Sequence, residues 1–309
     1  MKRLLVLLLV IITGCNLSGG AGKGADITGT EGLTIKIGTV PSLVYLGQSF
    51  SIPVTIENAG TSDIEDAILS ISGYNNKYIH LDGPSRIEKI NLVGRTTFSP
   101  VGERTTTIFN VGAISLPDNK EEITQVFQIK GCYKYKTIAN PVVCINPRLG
   151  RGEPSPPGSC DNRIDTLSPT QGAPIAVTGV TAITITNEPV MEFHIEVDDV
   201  SEKGEAILEE LYAKECLGKE SVSPEEIEVI KIEAFLSGQK LQCFEPGRGD
   251  EETDKFIIRD KGPSVICRAA IDPDTDPYTA VLSIQLKYGY VYIAKPFPVT
   301  LKNPAAPSP

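Results

Sequence analysis

The chain has 309 residues, with 39 Asp or Glu against 29 Lys or Arg, giving a formal charge of −10. That acidic balance argues against a nucleic-acid partner, because phosphate backbones are bound through clustered cations. The length exceeds one typical domain and suits two, and seven cysteines ask for an accounting by compartment.

Lys2 and Arg3 precede an unbroken apolar run from Leu4 to Ile12, followed by Thr13, Gly14 and Cys15. A basic start, a short apolar core and small residues make an export signal, and the run is shorter than the roughly 20 residues a spanning helix needs. The stretch "ITGC" resembles the lipobox of prokaryotic lipoproteins. The resemblance implies cleavage after residue 14 and a diacylglycerol thioether on Cys15. Two or more acyl chains hold a protein on a membrane, since each buried CH₂ contributes about 0.8 kcal/mol. The expected address is therefore the cell envelope or cell surface, with the membrane as partner through the lipid. Residues 15–32 read as a flexible tether.

From residue 33 to 148 the dominant period is two. Leu33, Ile35 and Ile37 alternate with polar residues, as do Phe50, Ile52, Val54 and Ile56, then Ala67, Leu69 and Ile71. Such alternation marks strands with one buried face. Pro53 points to an edge strand or a bulge. Further strands are expected at Arg86 to Val93, Thr105 to Val111 and Ile123 to Tyr135, a spacing that suits a β-sandwich. The stretch "GQSFSIPVTIENAGTSDIEDAILSISG", Gly47 to Gly73, resembles the first half of an immunoglobulin-like, cell-adhesion-related (CARDB-like) domain, with Asn58, Ala59 and Gly60 as its N-x-G turn. That resemblance implies a fold and a role in display, spacing or adhesion, and carries over no catalytic residue.

Residues 149–170 are dense in Pro, Gly and Ser and read as a linker. Residues 171–303 repeat the strand scheme as a second Ig-like domain, and residues 304–309 read as a disordered tail. Met191, Phe193, Ile195 and Val197 alternate as Phe50 to Ile56 do. Hairpin turns are expected at Ser237-Gly238 and Lys261-Gly262. One insertion, "SEKGEAILEELYAKECLG", has helix formers and an apolar face. It reads as a short helix plugging one end of the sandwich, capped by Asp199 or Ser201. The expected fold class is all-β: two tandem Ig-like sandwiches.

A pattern is written twice. Tyr133, Tyr135, Ile138, Ala139 and Pro141 are matched, 155 positions later, by Tyr288, Tyr290, Ile293, Ala294 and Pro296. It is expected to be the last hairpin of each domain. Tyr133, Tyr135, Tyr288 and Tyr290 then either pack at the core edge or form a stacking surface, since a buried tyrosine needs a partner for its hydroxyl. As platforms, together with Tyr74 and Tyr78, they would serve a ligand- or glycan-binding module, the alternative to a structural or adhesive protein with envelope partners.

With Cys15 lipidated, six cysteines remain, an even set that in an exported chain favours disulfides. A turn at Thr137 to Ala139 would set Cys132 opposite Cys144, Cys243 and Cys267 lie on neighbouring expected strands, and Cys160 is left for Cys216. The catalytic inventory is thin. His80 and His194 belong to no metal or triad motif, and "GGAGKGAD" lacks the features of a phosphate loop. "DPDTDP", Asp272 to Pro277, lacks the glycine and closing glutamate of a calcium loop and reads as a solvated turn. Arg248-Gly249-Asp250 reads as ordinary loop chemistry. The expectation is no enzyme, no cofactor and no metal.

Overall fold

The computed structural model describes residues 28–160, 164–186, 188–201, 203–217, 222–249, 251–258 and 262–304. The leader, Cys15, most of the tether, Asp250, Lys261 and residues 305–309 lie outside the described residues.

The chain is mostly β. In the first half run β1 (Leu33–Ile37), β2 (Leu43–Tyr45), β3 (Ser49–Asn58), β4 (Ile64–Ser72), β5 (Ile79–Asp82), β6 (Arg86–Leu92), β7 (Arg104–Ala113), β8 (Glu122–Ala139) and β9 (Val142–Ile145). A single helical turn, α1 (Pro147–Gly150), is capped by the Asn146 side chain. Then follow β10 (Ile164–Thr166), β11 (Ile175–Thr184), β12 (Val190–Asp199), β13 (Gly204–Ile207), α2 (Tyr212–Leu217), β14 (Val229–Leu236), β15 (Gln239–Lys240), β16 (Gln242–Phe244), β17 (Lys255–Ile257), β18 (Val265–Ala270), β19 (Tyr278–Ile293) and β20 (Phe297–Lys302).

Two small sheets, ordered β1-β3-β7-β5 and β10-β11-β12-β18-β16, lie against one large sheet whose main path is β15-β14-β19-β8-β20-β2. The alternation read from the sequence holds: Phe50, Ile52, Val54 and Ile56, like Met191, Phe193, Ile195 and Val197, are buried in one continuous core. Pro53 is not on an edge, because β3 lies between β1 and β7. Its carbonyl accepts from the Gly38 N–H at the very end of β1, so the missing Pro53 N–H falls where the neighbouring strand is already leaving.

The centre of the molecule is where the expectation fails most instructively. Residues Thr137 to Ala139 do not turn, and β8 runs straight on into β9. The two copies of the tyrosine pattern pair with each other, antiparallel, with Tyr133 opposite Tyr290 and Tyr135 opposite Tyr288. Pairing continues outward on both sides. β9 lies on the early part of β19, and β20 lies on the early part of β8. Each half of the chain therefore supplies the last strand of the other half's sheet. Pro141 and Pro296 sit at the joints, where the lost N–H falls between one strand pairing and the next. At these joints Leu282 N–H donates to the Pro141 carbonyl, and Ala294 N–H to that of Ile129. The first lobe is thus β1-β3-β7-β5 over β6-β4-β8-β20-β2, and the second is β10-β11-β12-β18-β16 over β14, β19 and β9.

The disulfides follow this layout. Cys132 joins Cys216 and Cys144 joins Cys160, which overturns the expected pairs Cys132–Cys144 and Cys160–Cys216. With no hairpin, the first two cysteines are twelve residues apart along one extended strand and cannot meet. Cys243 and Cys267 are cross-strand neighbours and are bonded as expected.

The insertion begins as a strand, β13, and its helical part is only α2 with a preceding 3₁₀ turn, Glu209–Leu211. It does not plug a sandwich end. Leu208, Leu211, Tyr212 and Cys216 lie on the outer face of the large sheet, over Ile68, Cys132 and Val291. The expected turn at Ser237-Gly238 is present, with both residues at positive φ. β17, however, pairs with β14 and not with β18. The stretch expected to be a free linker contains β10, which pairs with β11.

Candidate functional site

The four tyrosines meet at the junction of the lobes. Their ring centroids are 5.6 to 6.5 Å apart from neighbour to neighbour, in tilted and edge-to-face arrangements that aromatic quadrupoles favour. All four are buried, the most accessible at 4%. They offer no face to a ligand, so the stacking-surface reading fails and the packing reading stands. Tyr74 is half-buried and stacks on Phe127 of the core.

Each hydroxyl is satisfied by a segment that opens or closes a strand. Leu33 N–H, the first of β1, donates to Tyr133 (3.0 Å), and Ile175 N–H, the first of β11, donates to Tyr288 (3.4 Å). Tyr288 in turn donates to Thr137 Oγ1 (2.9 Å), whose own proton goes to the Ile175 carbonyl (2.7 Å). Tyr135 accepts from Ser62 N–H (3.1 Å) and donates to the Gly172 carbonyl (3.2 Å). Tyr290 donates to the Asp199 carboxylate and accepts from the Ser201 hydroxyl. Asp199 and Ser201 are thus tyrosine partners, not helix caps. Burial raises all four phenols above their ordinary value, strongly at Tyr133 and Tyr288, because a phenolate here would be stripped of water. The cluster is closed to solvent and held in place by its hydrogen bonds.

The polar groups singled out from the sequence are dispersed. His194 contacts Glu192 (3.1 Å), which also binds Arg268 (2.8 Å). Burial alone would raise the Glu192 carboxyl, but these two hydrogen bonds outweigh it and hold the group below its usual range. His80 pairs with Asp82 on the surface. Asp274 and Asp276 face Arg151 and Arg148, tying their turn to α1. Among the described residues, no cluster of three or more His, Cys, Asp or Glu could hold a metal ion.

The sequence reading did not anticipate a groove of about 600 Å³ on the side of the first lobe. It lies between the outer edge of β1 and the joint from β19 to β20. Ile35, Ile37, Val40, Tyr292 and Phe297 give it an apolar lining, and Lys295 is the one charged residue among the described residues that line it. Its position depends on β20 being where β9 was expected, which no local pattern encodes.

No known family model and no curated protein matches the chain. Among solved structures, the chain has a likeness to AvmM, described as catalysing macrocyclization in alchivemycin A biosynthesis. The identity is 8% and the TM-score 0.22, over 33% of this chain and 74% of that one. A likeness at that level carries no argument for fold or activity.

Proposed function

We propose that the chain is an exported, lipid-anchored protein of the prokaryotic cell surface, displaying two Ig-like sandwiches in structural, adhesive or protein–protein interaction roles. The observation that carries this is the covalent frame. Three disulfides reinforce a two-lobed β scaffold, and such bonds form and persist in oxidising, extracytoplasmic surroundings. Part of the strand order supports the Ig-like reading: β1-β3-β7 and β4-β8-β20 follow the orders A-B-E and C-F-G of that architecture, while β5 and β6 lie in the places of D and C′ but come in the reverse order along the chain. In this reading each domain contributes its last strand to the other, and the tyrosine junction makes the pair a single stiff body. The first-domain stretch resembling the cell-adhesion-related family agrees with display outside the cell. Anchoring belongs to Cys15.

Fractionation of cells tests the proposal. The native protein should partition with membranes, and Cys15→Ser should appear soluble or retain its leader. Impermeant biotinylation of intact or outer-membrane-permeabilised cells should label the native chain. A protein that stays in the cytoplasm with reduced cysteines would rule the reading out.

A further inference from the structure

The two lobes are built alike, and among the described residues one edge is finished in only one of them. Leu33 opposite Asn58 begins β1, as Ile175 opposite Asp199 begins β11, and both give their N–H to a junction tyrosine. Two residues on, Ile35 opposite Ile56 therefore corresponds to Val177 opposite Val197.

In the second lobe that edge is covered. Val177 donates its N–H to Gln171 Oε1 (3.1 Å), and its carbonyl accepts from Gln171 Nε2 (2.6 Å), so one side-chain amide imitates a strand. Leu167 N–H then donates to the Thr178 carbonyl, and β10 continues the pairing opposite Gly179 to Thr181.

In the first lobe no described residue covers it. β1 bonds to β3 through its even-numbered positions, as Gly32 with Ala59 and Gly38 with Pro53 mark at either end. The N–H and C=O groups of Ile35 and Ile37 consequently point the other way, into the groove, where no described residue takes them. On the facing wall Pro296 and Pro298 have no N–H to offer the outward carbonyls of β1. Gly38, Val40 and Ser42, between β1 and β2, also line the groove. The described residues just before β1 are engaged elsewhere: the Thr28 carbonyl accepts from Arg95, and that of Gly29 from Gly172 at the junction.

We propose that the outer edge of β1 receives an extended peptide strand from a partner protein, in the place that β10 and Gln171 fill in the second lobe. Strand addition uses main-chain hydrogen bonds for affinity and alternate side-chain pockets for specificity. The site fits a run of about five residues, the length of β1. Side chains turned inward would be apolar, to meet Ile37, Val40, Tyr292 and Phe297. A carboxylate at one position would meet Lys295. This inference rests on reading the chain as an interaction scaffold; cell fractionation speaks to the scaffold, and the peptide experiment below speaks only to the edge.

The test is selection of random heptapeptides on phage against the purified full chain, disulfides formed, followed by affinity measurement with the synthetic winners. Alternating apolar sequences with an acidic residue are expected. Ile37→Pro, which removes one groove-facing N–H and leaves the bonds to β3, should weaken binding about tenfold or more. Lys295→Glu should weaken it and shift selection towards basic peptides. Because Ile37→Pro could disturb β1 itself, the decisive probe leaves the protein untouched. N-methylation of every second peptide amide should abolish binding in one phase and spare it in the other. Equal loss in both phases, or winners that bind Ile37→Pro undiminished, would overturn the proposal. So would peptides that bind only after residues 16–27 are deleted, which would make the chain's own leader-proximal segment the occupant. A dimer seen in sedimentation and lost in Ile37→Pro would give the edge to a second copy and overturn it likewise.

Discussion

The two lobes share a plan but are reinforced differently. Within the second lobe Cys243–Cys267 staples neighbouring strands, and Cys144–Cys160 holds the imported strand β9 to the segment that follows it. The first lobe has no disulfide of its own, and its one cysteine, Cys132, is bonded across to α2 of the other half. Its imported strand, β20, carries no disulfide and is held by pairing with β8 and β2 and by packing of Phe297, Val299 and Leu301 into the core. The second lobe also covers its β11 edge, whereas among the described residues nothing covers that of β1. The comparison teaches that the first lobe depends on the second for a strand, for its covalent tie and for two of the tyrosines that close its core. A repeat in sequence has become an interdependent pair.

The sharpest way to break the comparison is to separate the lobes. Residues 28–148 and 171–304 produced as independent chains should each fail to fold, since each carries the other's last strand and half of the tyrosine cluster. Circular dichroism should show disordered chains alone and recovery of β structure on mixing. Proteolysis within residues 150–160 should likewise leave fragments that stay associated under native conditions. Two halves that fold separately would show that the exchange is dispensable.

The next largest effect belongs to the junction. Tyr288→Ala removes a wholly buried ring and should cost about 3–5 kcal/mol in denaturant unfolding. Tyr288→Phe keeps the ring but leaves Ile175 N–H without its acceptor, and should cost about 1–3 kcal/mol. Tyr45→Ala, on the exposed surface of β2, is the comparison and should lie within about 0.5 kcal/mol of the parent. Equal losses at Tyr288 and Tyr45 would remove the junction from the account.

A gentler probe is alkali. The phenols of Tyr133, Tyr135, Tyr288 and Tyr290 titrate above their ordinary value in the folded protein. The folded state therefore holds protons that the unfolded state releases near pH 10, so the cluster's contribution is complete below that pH and is lost as the pH rises beyond it. Of ten tyrosines, and with no tryptophan to interfere, the exposed ones should ionise first in absorbance near 295 nm. The last four should appear together with loss of β signal. A single smooth titration of all ten without unfolding would contradict burial of the cluster.

Much of this was legible in the sequence, and the failures have physical causes. Period-two alternation located the strands because burial of one face imposes it wherever a strand lies. The repeat was visible too, and so was the shared face of its tyrosines. Which strand each would pair with was not. The expected turn at Thr137 to Ala139 carries no glycine or Asn-Gly, and two of the three residues suit strands better than turns. That missing turn chemistry was the available signal for a strand that runs on. The disulfides went wrong for the same reason, since cysteine pairing inherits the strand layout. The groove beside β1 could not be read from any window of sequence, because its walls come from residues more than 250 positions apart.

The exchange of last strands is the claim on which the rest depends, and non-reducing peptide mapping tests it most directly. The account predicts links between Cys132 and Cys216 and between Cys144 and Cys160, alongside Cys243 and Cys267. A link between Cys132 and Cys144 would require the chain to turn back at Ile138 and would contradict it.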